Sequence, residues 1–298
     1  MNLLVLNSTA GGWHVDDLRR AAALRGHAMR VALWRDLSAD VGCDRPSPFD
    51  GVDAVLLRNM SGGTLEQIVF RMDLLGRIAA MGTPVVNAPR TIEIAVDKYL
   101  ALSRMAAAGL PVPRTIVCQR ADDAARALDE LGGNAVIKPL FGSEGKGVER
   151  VRDAAVFAAM EADGRIIYLQ QFIEHGHSDL RLFVIDGQVV AAMRRTGDSW
   201  ITNIAQGGRG EAFEPTDALR DLAIRAAAAC ACDIAGVDIV IDPRDNPYLL
   251  EVNAVPGWQA LSAASGIDIA AAVIECIEHR HDQRTMRTTG VRLGSAGS

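Results

Sequence analysis

Gly236-Val-Asp238-Ile-Val-Ile and Leu249-Leu-Glu251-Val-Asn253 place oxygen-donor side chains inside apolar runs. The spacing predicts two strands, 235–241 and 247–252, joined by a turn at Asp242-Pro-Arg-Asp-Asn246. Glu251 and Asn253 are two residues apart and share a strand face. With Asp238 on the neighbouring strand they make three hard oxygen donors, a set that suits Mg²⁺. Acids buried there without compensation are costly. Mg²⁺ held by few protein oxygens completes its shell with water and substrate phosphates, so these residues point to phosphate chemistry.

A second chemistry-bearing stretch is Val136-Ile-Lys138-Pro-Leu-Phe-Gly142-Ser143-Glu-Gly145-Lys146-Gly147-Val148. It sets a lysine in an apolar strand and three glycines just beyond. The glycines permit positive φ and a loop of backbone N–H groups able to cradle an anion, with Lys138 and Lys146 adding charge. It is not a P-loop, because Gly-x-x-x-x-Gly-Lys-Ser/Thr is absent, and no Gly-x-Gly-x-x-Gly follows the first strand. By itself the loop reads more readily as an ordinary hairpin connection than as a phosphate loop; Lys138 favours the anion site, since a lysine within an apolar strand needs a partner. Asp179-Leu-Arg181 alternates an acid and a base on one strand face, either a surface ion pair or an arginine aimed at a phosphoryl group. Arg194 and Arg195 point to opposite faces, so one of them is available to the same cluster. Thr202-Asn203-Ile-Ala-Gln-Gly-Gly208 is a polar substrate loop or an irregular connection. Arg58, after the third strand, suits a carboxylate or is a solvated strand-end arginine, with Ser8, Thr9 and Gly12 beside the same opening.

The elements that must position these groups alternate. Strands at 3–6, 29–33, 52–57 and 84–87 frame helices at 14–25 and 64–81, which predicts a parallel α/β lobe over residues 1–93. Thr64 and Gln67 form a capping-box start for the second helix. A helical stretch at 91–108 leads to the rigid Gly109-Leu-Pro-Val-Pro113. Strands then fall at 115–118, 135–139, 148–151 and 168–172, with helices at 121–131 and 154–162. Asp186-Gly187 marks a hairpin between 180–185 and 188–193. A helix over 215–231 with Pro215 in its first turn precedes the acid-bearing strands, and a last helix spans 267–279. The small polar tail, 283–298, is expected to be disordered.

With 298 residues, 49% of them hydrophobic, and a net charge of −6, the chain can bury a large core and lacks the basic balance of a nucleic-acid binder. Five scattered cysteines form no disulfide framework. No apolar run reaches membrane-spanning length and the first residues lack a basic leader, so a cytoplasmic protein with no nucleic-acid or membrane partner is expected.

Lys98, Lys138 with its glycine loop, Leu169-Gln170-Gln171-Phe172-Ile173, Asp179-Leu-Arg181, Asn203 to Gly208, Asp238 and Glu251-Val-Asn253 occur in the order of the ATP-grasp ligases. The chain resembles the branch of ribosomal protein S6 modification enzymes and tetrahydromethanopterin (or coenzyme F420) α-L-glutamate ligases, from Met1 to about Arg280. That resemblance implies an α/β fold in which the N-terminal lobe is followed by a two-lobed ATP-grasp domain. Its small lobe would be 94–170 and its large lobe, with the Mg²⁺ site, 171–282.

It further implies ATP and Mg²⁺ (or Mn²⁺) as cofactors. Adenine would lie against Gln170, Gln171, Phe172 and Ile173; Lys98, Lys138, Asp179 and the loop residues Gly142, Ser143, Gly145 and Gly147 would serve the rest of the nucleotide. Asp238, Glu251 and Asn253 would be metal ligands, Arg181, Arg195 and Asn203 catalytic, and Arg58 and Gly208 substrate contacts. Gln171 departs from relatives that carry an acid there. The implied reaction joins a small-molecule carboxylate to an amino acid such as glutamate through an acyl phosphate, in a homo-oligomer. A protein C-terminus as acceptor, or a phosphotransferase on the same scaffold, are the alternatives.

Overall fold

The structure is a computed structural model that describes residues 1–42, 48–60, 62–142 and 145–294, with side chains to residue 286. Its first sheet has the order β2 (Ala28–Leu33), β1 (Asn2–Asn7), β3 (Ala54–Leu57), β4 (Val85–Val86), all parallel. Helices α1 (Trp13–Leu24) and α2 (Leu65–Ala80) supply the crossovers. The Thr64–Gln67 capping box forms as the sequence predicts and satisfies two N-terminal amide groups of α2. Because the strands are parallel, loops after β1 and β3 leave from one edge, and Arg58 extends that edge by donating its backbone N–H to Leu6 O.

The predicted helical stretch at 91–108 is two helices, α3 (Pro89–Val96) and α4 (Lys98–Ala107). Asp97 separates them because its side chain accepts the Leu100 N–H and caps α4. A second sheet follows, antiparallel, in the order β5 (Thr115–Cys118), β8 (Ile167–Gln171), β6 (Ala135–Lys138), β7 (Glu149–Val151). Helices α5 (Ala121–Glu130) and α6 (Val156–Ala162) close its core through Leu128, Phe157 and Ile167.

The third sheet is antiparallel, in the order β11 (Arg209–Ala212), β10 (Gln188–Thr196), β9 (Ser178–Ile185), β12 (Ile234–Ile241), β13 (Pro247–Asn253). Asp186 and Gly187 both take positive φ in the β9–β10 turn, as the dipeptide predicts. The strand period of two divides β9 between two cores. Leu180, Leu182 and Val184 pack against α7 (Asp217–Ala229) and α4; Phe183 and Ile185 pack against α9 (Ile269–Gly294) and the first lobe. Residues 94–110 thus share the core of the large sheet, rather than that of the small lobe with which the sequence grouped them.

Four elements differ from the sequence reading. Helix α7 starts after Thr216, which accepts the Leu219 N–H, so Pro215 precedes the cap. Helix α8 (Gln259–Ser265) and strand β11 were not foreseen; β11 is exposed along its length and has no apolar alternation. Helix α9 continues to Gly294, past the start of the expected tail, and Arg280 ties it to Asp186 and Asp233. Among the described residues, no single helix is long and apolar enough to cross a membrane.

Candidate active site

The parity that sends Leu180, Leu182 and Val184 into one core puts Asp179 and Arg181 on the opposite face of β9. The same parity sets Arg195 with Met193 on β10, and Asp238 with Ile234 on β12. Register then aligns them: Arg181 faces Asp238, and Asp179 faces Arg195. All four side chains are buried. Arg181 donates from Nε and, at 2.8 Å, from Nη2 to Asp238; Arg195 donates from Nε to Asp179 at 2.7 Å, and its Nη2 lies 3.0 Å from Asp238 Oδ2. The expected pairing of Asp179 with Arg181 along one strand is therefore replaced by two cross-strand pairs. Burial raises the Asp238 pKa, but Arg181 and Arg195 outweigh it and hold the carboxyl at about 2. Arg195 is likewise raised above its ordinary range: burial lowers it, and Asp238 and Asp179 more than compensate. Gly236 makes room for this network, since a Cβ there would sit 2.9 Å from Arg181 Nη1.

Glu251 faces Asp238 across the β12–β13 ladder, beside a bulge. Its half-buried carboxylate has no hydrogen bond or ion pair among the described residues, which is the condition a hard cation would relieve. Asn253 Oδ1 accepts the Val255 N–H at 2.9 Å and is outside the lining of the main cleft. Among the described residues no group of three His, Cys, Asp or Glu side chains forms a metal cage; the donor set is two acids and an amide. Such a sparse set fits Mg²⁺, which keeps waters and phosphate oxygens as ligands.

Across the cleft, Lys138 at the end of β6 donates to Gln170 Oε1 at 2.6 Å, and Gln170 donates to Thr115 Oγ1 at 3.1 Å. Burial pushes the Lys138 ammonium down to about 8, with Glu251 opposing and Lys98 adding to the shift. Lys98 donates to Gly142 O at 2.6 Å and so tethers the glycine loop to the start of α4. Between the two sheets lies an open cleft lined by residues of both.

The cleft brings together Lys98, Lys138, Gly142, Gly145, Gln170, Gln171, Phe172, Ile173, Asp179, Arg195, Asn203, Asp238 and Glu251, as the sequence grouped them. Ser143 lies outside the described residues. Arg181 stands behind the wall, bonded to Asp238. Gly147 packs on Pro139, and Gly208 on the backbone of Thr202, where an added Cβ would lie 2.1 Å from its carbonyl oxygen. Sequence reasoning missed Trp200, which lines the cleft and meets Phe172 edge-on at 5.7 Å, while Arg150 covers that ring at 3.7 Å. A single tryptophan in a Gly-Asp-Ser-Trp segment three residues before Asn203 was the available signal. His175 Nδ1 lies 3.1 Å from Ser178 O, and the residue also lines the cleft.

Arg58 is elsewhere. It occupies a smaller cavity at the junction of the first lobe with the end of β13, where Nη1 donates to Val255 O at 3.4 Å and the guanidinium covers Trp258 at 4.9 Å. Burial lowers its pKa to about 10. His14 beside it is lowered to about 4 by burial and by the Arg58 charge. Ser8 and Thr9 are taken up in bracing the β1 loop, through Asn59 and Gly11 O respectively.

Residues 95–277 match the RimK-like ATP-grasp domain. The tetrahydromethanopterin:alpha-L-glutamate ligase of Methanosarcina acetivorans is 31% identical over 261 residues, 76% of this chain and 80% of that protein. A probable alpha-L-glutamate ligase of Teredinibacter turnerae is 30% identical over 305 residues, covering 97% of this chain and 99% of the relative. The solved RimK domain ATP-grasp protein of Sphaerobacter thermophilus superposes with a TM-score of 0.74 at 26% identity, over 93% of this chain and 99% of that one. The ATP-grasp ligase PsnB, at 23% identity and a TM-score of 0.75 over 93% of this chain and 98% of its own, has the same fold. With a domain match across most of its length and relatives alike over most of theirs, the chain belongs to the RimK-like ATP-grasp family of ATP-dependent carboxylate–amine ligases.

Proposed function

We propose that the protein adds an amino acid, L-glutamate by the names of its relatives, to a small-molecule carboxylate by way of an acyl phosphate. The observation that carries this is the Asp179–Arg195–Asp238–Arg181 network set beside Lys138 and Glu251, which has no hydrogen bond or ion pair among the described residues, because it concentrates fixed cations and anions at one wall of the cleft between the two sheets. The acceptor carboxylate attacks the γ-phosphorus and ADP leaves. The amine then attacks the acyl carbon, phosphate departs with the C–O electron pair, and the amine loses a proton. No covalent nucleophile on the protein is needed; placement and charge neutralisation supply the rate.

The residues divide this work. Gln170 to Ile173 hold the adenine, with Phe172 and Trp200 giving the aromatic surface. Lys98 and Lys138 meet phosphates, and the loop carrying Gly142, Gly145 and Gly147 covers them and keeps water from the activated acyl group. Asp238, Glu251 and Asn253 hold Mg²⁺, which neutralises phosphate charge when bound. Arg195, oriented by Asp179, and Arg181, oriented by Asp238, steady the transferring phosphoryl group. Asn203 and Gly208 shape the substrate loop.

The test is ADP release with Mg-ATP, L-glutamate and a panel of pterin, deazaflavin and peptide carboxylates. Release that needs both glutamate and one acid supports the proposal. Release with a peptide alone among the acids moves the acceptor to a protein tail, and release without any amine indicates a phosphotransferase.

A further inference from the structure

The junction cavity holds a cation without a counter-charge. Arg58 Nε is sealed from solvent and has no hydrogen-bond partner among the described residues, and no ion pair to Arg58 is present there either. Among the described residues the one hydrogen bond the guanidinium makes is the long contact to Val255 O. Asp17, the acid that acts on the neighbouring His14, is already engaged by Trp258 Nε1 at 2.9 Å and by Arg20 at 2.7 Å. His14 Nε2 accepts the Trp258 N–H at 3.0 Å, so that nitrogen carries no proton, and a histidine could in any case add only positive charge beside Arg58. A buried cation left this way costs stability, and such a cost is retained where a ligand repays it. The Nη2 end faces Gly257, where an added Cβ would lie 3.6 Å away in ordinary contact.

We propose that Arg58 is the anchor of a second subsite, separate from the nucleotide cleft, that binds a carboxylate of the incoming amino acid which takes no part in bond formation. This rests on the ligase reading above. Three observations set the class of ligand. The reacting carboxylate must meet the γ-phosphate, and Arg58 is not among the residues of that cleft. The cavity walls, Leu56, Val86 and Trp258, are apolar around one cation and leave room for little more than one small polar group, so only the end carboxylate of a ligand would reach Arg58. Val255 continues the chain two residues beyond Asn253, so the subsite adjoins the end of β13 that carries Glu251.

The test uses the full chain with Arg58→Met and Gly257→Ala. Wild type is first heated with L-glutamate and, separately, with glutarate, which has the carboxylates but no amine; both should raise the melting temperature. Arg58→Met should itself melt a few degrees higher than wild type, roughly 2–6 °C, because it removes an unpaired buried charge, and should lose both ligand-induced shifts. In turnover, Arg58→Met should raise KM for glutamate by about 10–100-fold, the scale of a lost charged hydrogen bond, and Gly257→Ala, which keeps the cation and adds a methyl group beside it, by about 3-fold or more, with KM for ATP and for the acid within about 2-fold of wild type in both. If Arg58→Met fails to fold, Gly257→Ala decides, since its Cβ meets only ordinary contacts. Unchanged glutamate KM and unchanged shifts overturn the subsite. A rise in KM for the acid instead of glutamate overturns its assignment to the amine. Absence of glutamate-dependent ADP release in wild type counts against the ligase reading alone, because the glutarate shift still reports on the subsite.

Discussion

Asp238→Asn isolates the buried charge network. The Asp238 carboxyl is held at about 2 against an ordinary 3.8. A difference of nearly two pH units corresponds to about 2–3 kcal/mol of stability from this one ionisation. The amide also leaves Arg181 buried without a carboxylate, whereas Arg195 keeps Asp179. Breaking a buried pair from one side costs about 3–5 kcal/mol, so the variant should melt on the order of 10 °C lower at pH 7 in EDTA. The sign with pH follows from a depressed carboxyl. Its contribution is complete above the unfolded value near 4 and is lost as pH falls from there to about 2. Wild type should therefore lose stability through that window more steeply than Asp238→Asn. Arg181→Met combined with Asp238→Asn should recover part of the loss, because the orphaned cation goes too. Melting within about 2 °C of wild type for the single variant, or a double variant worse than the two losses added, would refute the reasoning.

Other outcomes follow from the same geometry. Glu251→Gln should lower kcat by at least about 100-fold while leaving the melting temperature unchanged, since this carboxylate supports no other side chain; normal turnover removes it from the metal site. Lys138 sits at about 8, so nucleotide affinity should fall as pH rises through 8, and Lys138→Met should flatten that profile in a binding titration. Over the same rise the empty protein should gain stability, because above pH 8 the unfolded chain binds a proton that folded Lys138 does not. Gly145→Ala should slow turnover by about 10-fold or more: φ is +70° and the added Cβ would stand 2.8 Å from Asn203 Oδ1, forcing the glycine loop away from the substrate loop. Steady-state kcat for this variant checks it.

The sequence made period and punctuation legible. Apolar alternation located β9, β10, β12 and β13, and the two-residue spacing of Glu251 and Asn253 was enough to suspect a metal. What it left out was register. Asp179 and Arg181 share a face whatever their partners, but which guanidinium each acid takes is decided by how β9 aligns with β10 and β12. Strand β11 had no signal because four exposed residues need no apolar face, and the end of α9 had none because residues 282–294 are largely polar and carry no apolar stripe. Arg58 was singled out as a residue able to meet a carboxylate, yet its surroundings come from Val255 and Trp258, about two hundred positions away, and no local pattern announces them.

The most direct test of the central claim is the dependence of ADP release on its two organic substrates. Mg-ATP with the matching acid and L-glutamate should give ADP, phosphate and an amide in equal amounts, and omission of either organic substrate should abolish steady release. Sustained ADP release with the acid and no amine, yielding a stable phosphorylated product, would contradict ligation and leave only phosphoryl transfer at this site.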